Sequence, residues 1–257
     1  MKTFCCYSLF LAAGFSLALA SCKKDDATTP STPASTTPTA ATPSVRNVHG
    51  ALISLRLNYA APSPVPTPVP VTLTVESGLA LFYNLTPTAY LDAGAVTVNG
   101  NALDKGSNNT YSKVATPTQT NPSTELGFSN GSNWSIAGSG SVTAFNYNHS
   151  GSMPNYSGTL PTAISKANGL TVALSTVSNA DSVYVLIAAG NQSVLKRARA
   201  GTASITFTAN DLRNLPTVSD KSAVMQVLPF KILLATLNSK PYAFIKEYAA
   251  VGNVNIE

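Results

Sequence analysis

Alternation of apolar and polar side chains at every second position is the feature that most limits what this chain can fold into. Leu52 to Tyr59 puts Ile53, Leu55, Leu57 and Tyr59 on one face and Ser54, Arg56 and Asn58 on the other. Val71, Leu73 and Val75 alternate with Thr72, Thr74 and Glu76. Leu170, Val172 and Leu174 alternate with Thr171, Ala173 and Ser175, and Ile205 and Phe207 with Ser204, Thr206 and Thr208. A period of two is the period of a β-strand, and the polar positions predict one wet face for each of these strands. Ser182 to Ala189 is apolar on both faces and predicts a central strand. Gly190-Asn191 then turns the chain into a hairpin with Ser193 to Ala198. Val96 to Val98 followed by Asn99-Gly100 is a second strand-and-turn signal. One segment reads as helix: Ala209 to Leu215, opened by a Thr208…Asp211 capping box and stopped by Pro216. There is no alternation of strands with helices, so the sequence predicts no parallel sheet. The fold class it predicts is all-β, an antiparallel β-sandwich.

The chain divides by composition. Residues 27–44 are Ala, Thr, Pro and Ser only, with no apolar side chain larger than Ala apart from the proline rings, so the stretch cannot build a core. Its prolines favour extended geometry, and at about 3.1 Å per residue the stretch could reach roughly 55 Å. It reads as a stalk. Pro62, Pro64, Pro66, Pro68 and Pro70 fall at alternate positions between two strands and demand a loop or an exposed edge. Within 45–257, Asn-, Ser- and Gly-rich sequence gives way near Ser157 to a more regular strand series. We therefore expect two tandem β domains, 45–157 and 158–257.

The N-terminus carries an address. Lys2 is a short positive start, Phe4 to Ala20 is an apolar run broken only by Ser8, Gly14 and Ser16, and Leu19-Ala20-Ser21-Cys22 follows. The run is short for a membrane span and reads as a secretory signal. The tetrad resembles the lipobox of bacterial lipoproteins. That resemblance implies cleavage after residue 21, lipid on Cys22, and a lipidated linker over 22–44. Lys23-Lys24-Asp25-Asp26 is similar to the tails of Bacteroidota lipoproteins, in which such charges can direct export to the outer face. The resemblance implies an outer-membrane, lipid-anchored, surface-exposed protein. The stretch Ile205 to Leu215 resembles the strand-to-strand crossover of immunoglobulin-like and fibronectin-type surface modules. This implies an immunoglobulin-like sandwich for 158–257, although the Cys–Trp–Cys signature is absent.

The chemistry available is sparse. The three cysteines, Cys5, Cys6 and Cys22, all fall in the signal or at the anchor, so the folded part has no disulfide and no cysteine nucleophile. There are two histidines, His49 and His149. Gly127-Phe-Ser129-Asn-Gly131 matches the nucleophile-elbow pattern in letters, but no helix signal follows it. The acids past the tail form no tight pair or loop motif, no two histidines share metal-ligand spacing, and no phosphate-binding glycine run occurs. We expect no catalytic residues, no metal and no cofactor. Lys196-Arg197-Ala-Arg199 is the one basic cluster, and without interleaved aromatics it gives no sign of nucleic acid. One region gathers groups that suit recognition. Asn130 to Tyr156 holds Trp134, Phe145, Tyr147 and Tyr156 among Asn130, Asn133, Asn146, Asn148, His149 and Asn155. Aromatic faces and amide rims are how sugars are commonly gripped, so Trp134, Tyr147, His149 and Tyr156 are the candidate ligand-binding residues. The competing reading puts Trp134 and Phe145 in the core. The sequence thus points to a non-catalytic binding or adhesion module for glycan or protein. The alternative is a structural accessory lipoprotein of an outer-membrane complex with no small ligand.

Overall fold

A computed structural model of the chain describes residues 45, 47–61, 71–85, 89–116 and 125–257. The expected signal peptide, Cys22, the linker and the proline-rich 62–70 stretch lie outside these residues. The strands are β1 (Gly50–Ala61), β2 (Val71–Phe82), β3 (Val96–Val98), β4 (Asn101–Ala102), β5 (Asp104–Lys105) and β6 (Tyr111–Val114). They continue as β7 (Gly131–Ile136), β8 (Phe145–Ser150), β9 (Asn155–Tyr156), β10 (Ala163–Ile164), β11 (Leu170–Ala173) and β12 (Val177–Ser178). The last are β13 (Ser182–Ala189), β14 (Gln192–Arg199), β15 (Ser204–Phe207), β16 (Val218–Leu237) and β17 (Lys240–Ile256), with helix α1 (Ala209–Leu212) before β16. The fold is all-β.

One large sheet organises the molecule, in the order β14-β13-β16-β17-β1-β2-β6-β5, with β10 pairing β17 at its far end. Both predicted turns are present: Gly190-Asn191 joins β13 to β14, and Asn99-Gly100 joins β3 to β4. The predicted helix forms as a single turn with a reciprocal capping box, Thr208 accepting from Asp211 N and Asp211 from Thr208 N. The absence of a parallel pair was the wrong expectation. β1 pairs with β17 in parallel, Ala51 opposite Ala243 through Tyr59 opposite Val251, and β10 also pairs with β17 in parallel. No βαβ unit is needed, because residues far apart in the chain supply the two strands. The 20-residue β16 and the 17-residue β17 form a long hairpin at the middle of the sheet. Its ladder skips Leu228 and Pro229, where proline has no N–H to give.

The smaller sheets all pack on one face of the large one, giving sandwich layers. The four-stranded sheet β4-β3-β7-β8 closes a core of Trp134, Ile136, Phe145, Phe82, Tyr242 and Phe244 with their neighbours. The pairs β11-β15 and β9-β12, with α1, close a second core around Phe207, Val185, Met225 and Tyr248. The first core draws on residues 52–153 and 235–244, and the second on residues 156–227 and 248–256. The β16–β17 hairpin serves both, since Tyr242 and Phe244 enter the first core and Tyr248 and Val254 the second. Covering by these sheets overturns the prediction of a wet face on the first two strands. Ser54 and Glu76 sit on the packed face and are fully buried. On the opposite face, Leu228, Ala249 and Val251 cluster with Leu55, Leu57, Tyr59 and Tyr184 of the same sheet.

Candidate functional site

β7 and β8 decide where the Asn- and aromatic-rich segment points. They pair antiparallel with Asn133 opposite Asn148 and Trp134 opposite Tyr147. Alternation then sends Ser132, Trp134, Phe145, Tyr147 and His149 inward, and Asn133, Ser135, Asn146 and Asn148 outward to solvent. The aromatic grip expected from the sequence is therefore not at the surface. Trp134 is buried in the first core, Tyr156 in the second, and Tyr147 is half-buried and stacks on Phe244 at 3.9 Å between ring centroids. His149 is buried as well, its Nδ1 without a hydrogen-bond partner among the described residues. Burial first, then the positive charges of Lys246 and Lys231, push its pKa down to about 4. Beside it, buried Lys246 donates to the carbonyls of Ser150 at 2.8 Å and Gly151 at 2.6 Å, tying the end of β8 to the large sheet. Desolvation, and then Lys231, lower the Lys246 pKa to about 8. These groups hold the layers together and offer no reactive surface.

What reaches solvent is a cleft of about 360 Å³ lined by Asn99, Gly100, Gly127, Asn130, Gly131, Asn133 and Asn148. Its shape is set by the short loop 126–131, which is fastened from two sides. From the strand side, buried Glu76 accepts from Leu126 N at 2.6 Å and Phe128 N at 3.1 Å. The other Glu76 oxygen pairs with the Arg56 guanidinium, with Nε at 3.0 Å, and Arg56 also donates to Ser129 Oγ at 3.1 Å. From the turn side, the Asn99 amide donates to the carbonyls of Gly127 at 2.9 Å and of Leu126 and Gly131 at 3.2 Å. Asn99 Oδ1 accepts from Asn133 N at 2.7 Å. Asn99 is held at φ 47° by the Asn-Gly turn it begins, which aims its side chain at the loop. Gly131 stands at φ 132°, and a Cβ there would lie 3.1 Å from the His149 carbonyl, so the close approach of loop to strand needs glycine. A buried ion pair is a costly way to stabilise a fold, since desolvation offsets most of the attraction. Here it serves to hold one loop in one place.

Three side chains in the cleft are left over by this scaffold. Asn130, Asn133 and Asn148 are exposed, and no hydrogen bond within the described residues uses their amides. Each carries two donors and an acceptor. Asn130, Asn133 and Asn148 belong to the stretch singled out from sequence. Glu76, Arg56 and Asn99 escaped it, because their partners lie 20 to 73 residues away along the chain. The letters of the nucleophile elbow fall on this loop, but Phe128–Asn130 is a single 3-10 turn followed by β7, and Ser129 has no base beside it among the hydrogen bonds of the described residues. The basic cluster lies on β14 as predicted, with Lys196 paired to Asp211 at 2.6 Å and Arg197 over the rings of Tyr184 and Phe230. Among the described residues, no three His, Cys, Asp or Glu side chains group as a metal site. No protein-family model matches this chain, nor does any curated protein or any solved structure.

Proposed function

We propose that this protein is a lipid-anchored cell-envelope module that binds glycan or protein and catalyses nothing. The carrying observation is the cleft: three unpaired amides stand over a loop whose backbone is already fixed by Glu76, Arg56 and Asn99. A surface fixed before the ligand arrives loses little entropy on binding. Loops held on a rigid scaffold are the usual place for such sites. The signal run, the Leu19–Cys22 tetrad and the Ala/Thr/Pro/Ser stalk support tethering at the outer membrane, with the cleft carried away from the bilayer. The crossover from β15 through the capped turn at Thr208 supports an immunoglobulin-like kinship for 158–257.

Two measurements test this reading. Full-length protein expressed in a lipid-modifying host should fractionate with membranes and carry acyl mass on Cys22, and Cys22→Ser should abolish both. The detergent-solubilised protein, screened against glycans and envelope proteins, should give a hit that Asn133→Ala/Asn148→Ala removes with no change in melting temperature. A hit that survives the double substitution would move the function elsewhere on the molecule.

A further inference from the structure

We infer that the cleft takes an uncharged, hydroxyl-rich ligand, a unit of a neutral glycan; this rests on the binding-module reading and narrows it. Three features choose the class. First, among the described residues, none of the groups lining the cleft is charged. A carboxylate, sulfate or phosphate ligand would be desolvated against amides alone, without a cation to pair with. Second, the free groups are of mixed character. A sugar hydroxyl both donates and accepts, and so does each carboxamide, so the Asn133–Asn148 pair across β7 and β8 can meet neighbouring hydroxyls in both senses.

Third, the edge beside the cleft is partly engaged already, which makes it a poor place for a peptide. β8 is the last strand of its sheet and would be the natural place for a partner strand to add. Its flanking carbonyls are already taken. Ala144 O accepts from Asn238 Nδ2 at 3.1 Å, and Ser150 O accepts from Lys246 Nζ at 2.8 Å. An incoming strand would share the carbonyls at both ends and find a free ladder only between them, whereas a saccharide held by side-chain amides needs no ladder.

The cleft, about 360 Å³, is near the small end of the range of about 300–1,000 Å³ for small-ligand sites. That is room for one or two sugar rings of a longer chain. Among the described residues no aromatic ring lines it, so affinity comes from hydrogen bonds and should be weak, with Kd of about a millimolar.

The test uses the full-length lipidated protein in detergent and saturation-transfer NMR. The probes are neutral hexasaccharides of glucose, mannose, xylose and galactose, with a galacturonate oligomer of equal length as the acidic control. Saturable transfer to at least one neutral probe, insensitive to added salt, is expected. Asn133→Ala/Asn148→Ala should weaken it about tenfold or more, the loss of roughly one hydrogen bond. Should that pair of changes disturb folding, Asn148→Ser alone, which keeps a hydroxyl, should give a smaller loss at an unchanged melting temperature. Asn133→Asp should weaken it too, by removing two donors. No transfer to any neutral probe overturns the inference, as does salt-sensitive preference for the acidic oligomer or transfer unchanged in the double variant. A protein ligand displaced by the same double variant, with no sugar bound, would refute the glycan class and leave the binding module standing. Ligands that ignore the double variant would refute both.

Discussion

Replacing Glu247 is the sharpest probe of how this sheet is built. The residue sits in β17, opposite Leu55 of β1 and Phe230 of β16, in a run from Tyr242 to Gly252 whose every residue is buried. Only 1 % of it is exposed, and neither carboxyl oxygen has a hydrogen-bond partner among the described residues. Burial pushes its pKa from the ordinary 4.5 up to about 8. The folded chain therefore keeps a proton that the unfolded chain gives up above 4.5. Stability is full below 4.5 and is lost as pH climbs through 8. At about 1.4 kcal/mol per pH unit, the loss is roughly 3 kcal/mol by pH 7 and roughly 5 kcal/mol once the folded-state carboxyl ionises. Glu247→Gln keeps the shape and cannot ionise. Urea unfolding of both proteins at pH 5, 6, 7 and 8 should show the variant gaining on the wild type by about 1.4 kcal/mol per unit. His149 and the surface acids titrate alike in both, so the difference isolates Glu247. A difference that does not change with pH would show that the carboxyl is solvated or paired, and would refute its burial among Leu55 and Phe230.

Other substitutions test the layers. Tyr156→Ala, in the second core, should cost about 3–5 kcal/mol in urea unfolding and leave ligand binding unchanged at temperatures where the protein is folded; a stable variant that no longer binds would restore the aromatic grip. Lys246→Met should cost about 2–3 kcal/mol, since the Ser150 and Gly151 carbonyls lose a charged donor. Desolvation lowers the His149 pKa from 6.5 to about 4, so the folded chain refuses a proton that the unfolded chain takes. Its contribution is present above 6.5 and lost as pH falls toward 4, and His149→Phe should flatten that part of the stability profile. Thr208→Ala should cost about 1 kcal/mol by removing the cap of α1, read as a fall in melting temperature.

Local rules made several elements legible. The Asn99-Gly100 and Gly190-Asn191 turns, the capping box at Thr208 and the strand positions of β1, β11, β13 and β15 all follow from a few adjacent residues. The candidate site was legible in half. Asn133 and Asn148 belong to the segment singled out from sequence, but period two cannot say which of its two faces meets water. Once Trp134 and Phe145 turned inward to the core, Tyr147 and His149 had to follow them, and the amides were left outside. Glu76 and Ser54 were misplaced for the same reason. Each is the polar half of an alternating strand, and a polar half is wet only when nothing packs over it.

By itself the sequence determined that this chain forms strands rather than helices, where several of its turns fall, and that its folded part has no thiol chemistry, because these depend on residue type and on neighbours a few positions away. Only the tertiary structure decided that β1 enters the sheet parallel to β17, that a carboxyl is buried at Glu247, and that Glu76, Arg56 and Asn99 fasten the loop 126–131. Those facts join residues separated by tens to nearly two hundred positions, and contact at such distance is set by how whole sheets cover one another.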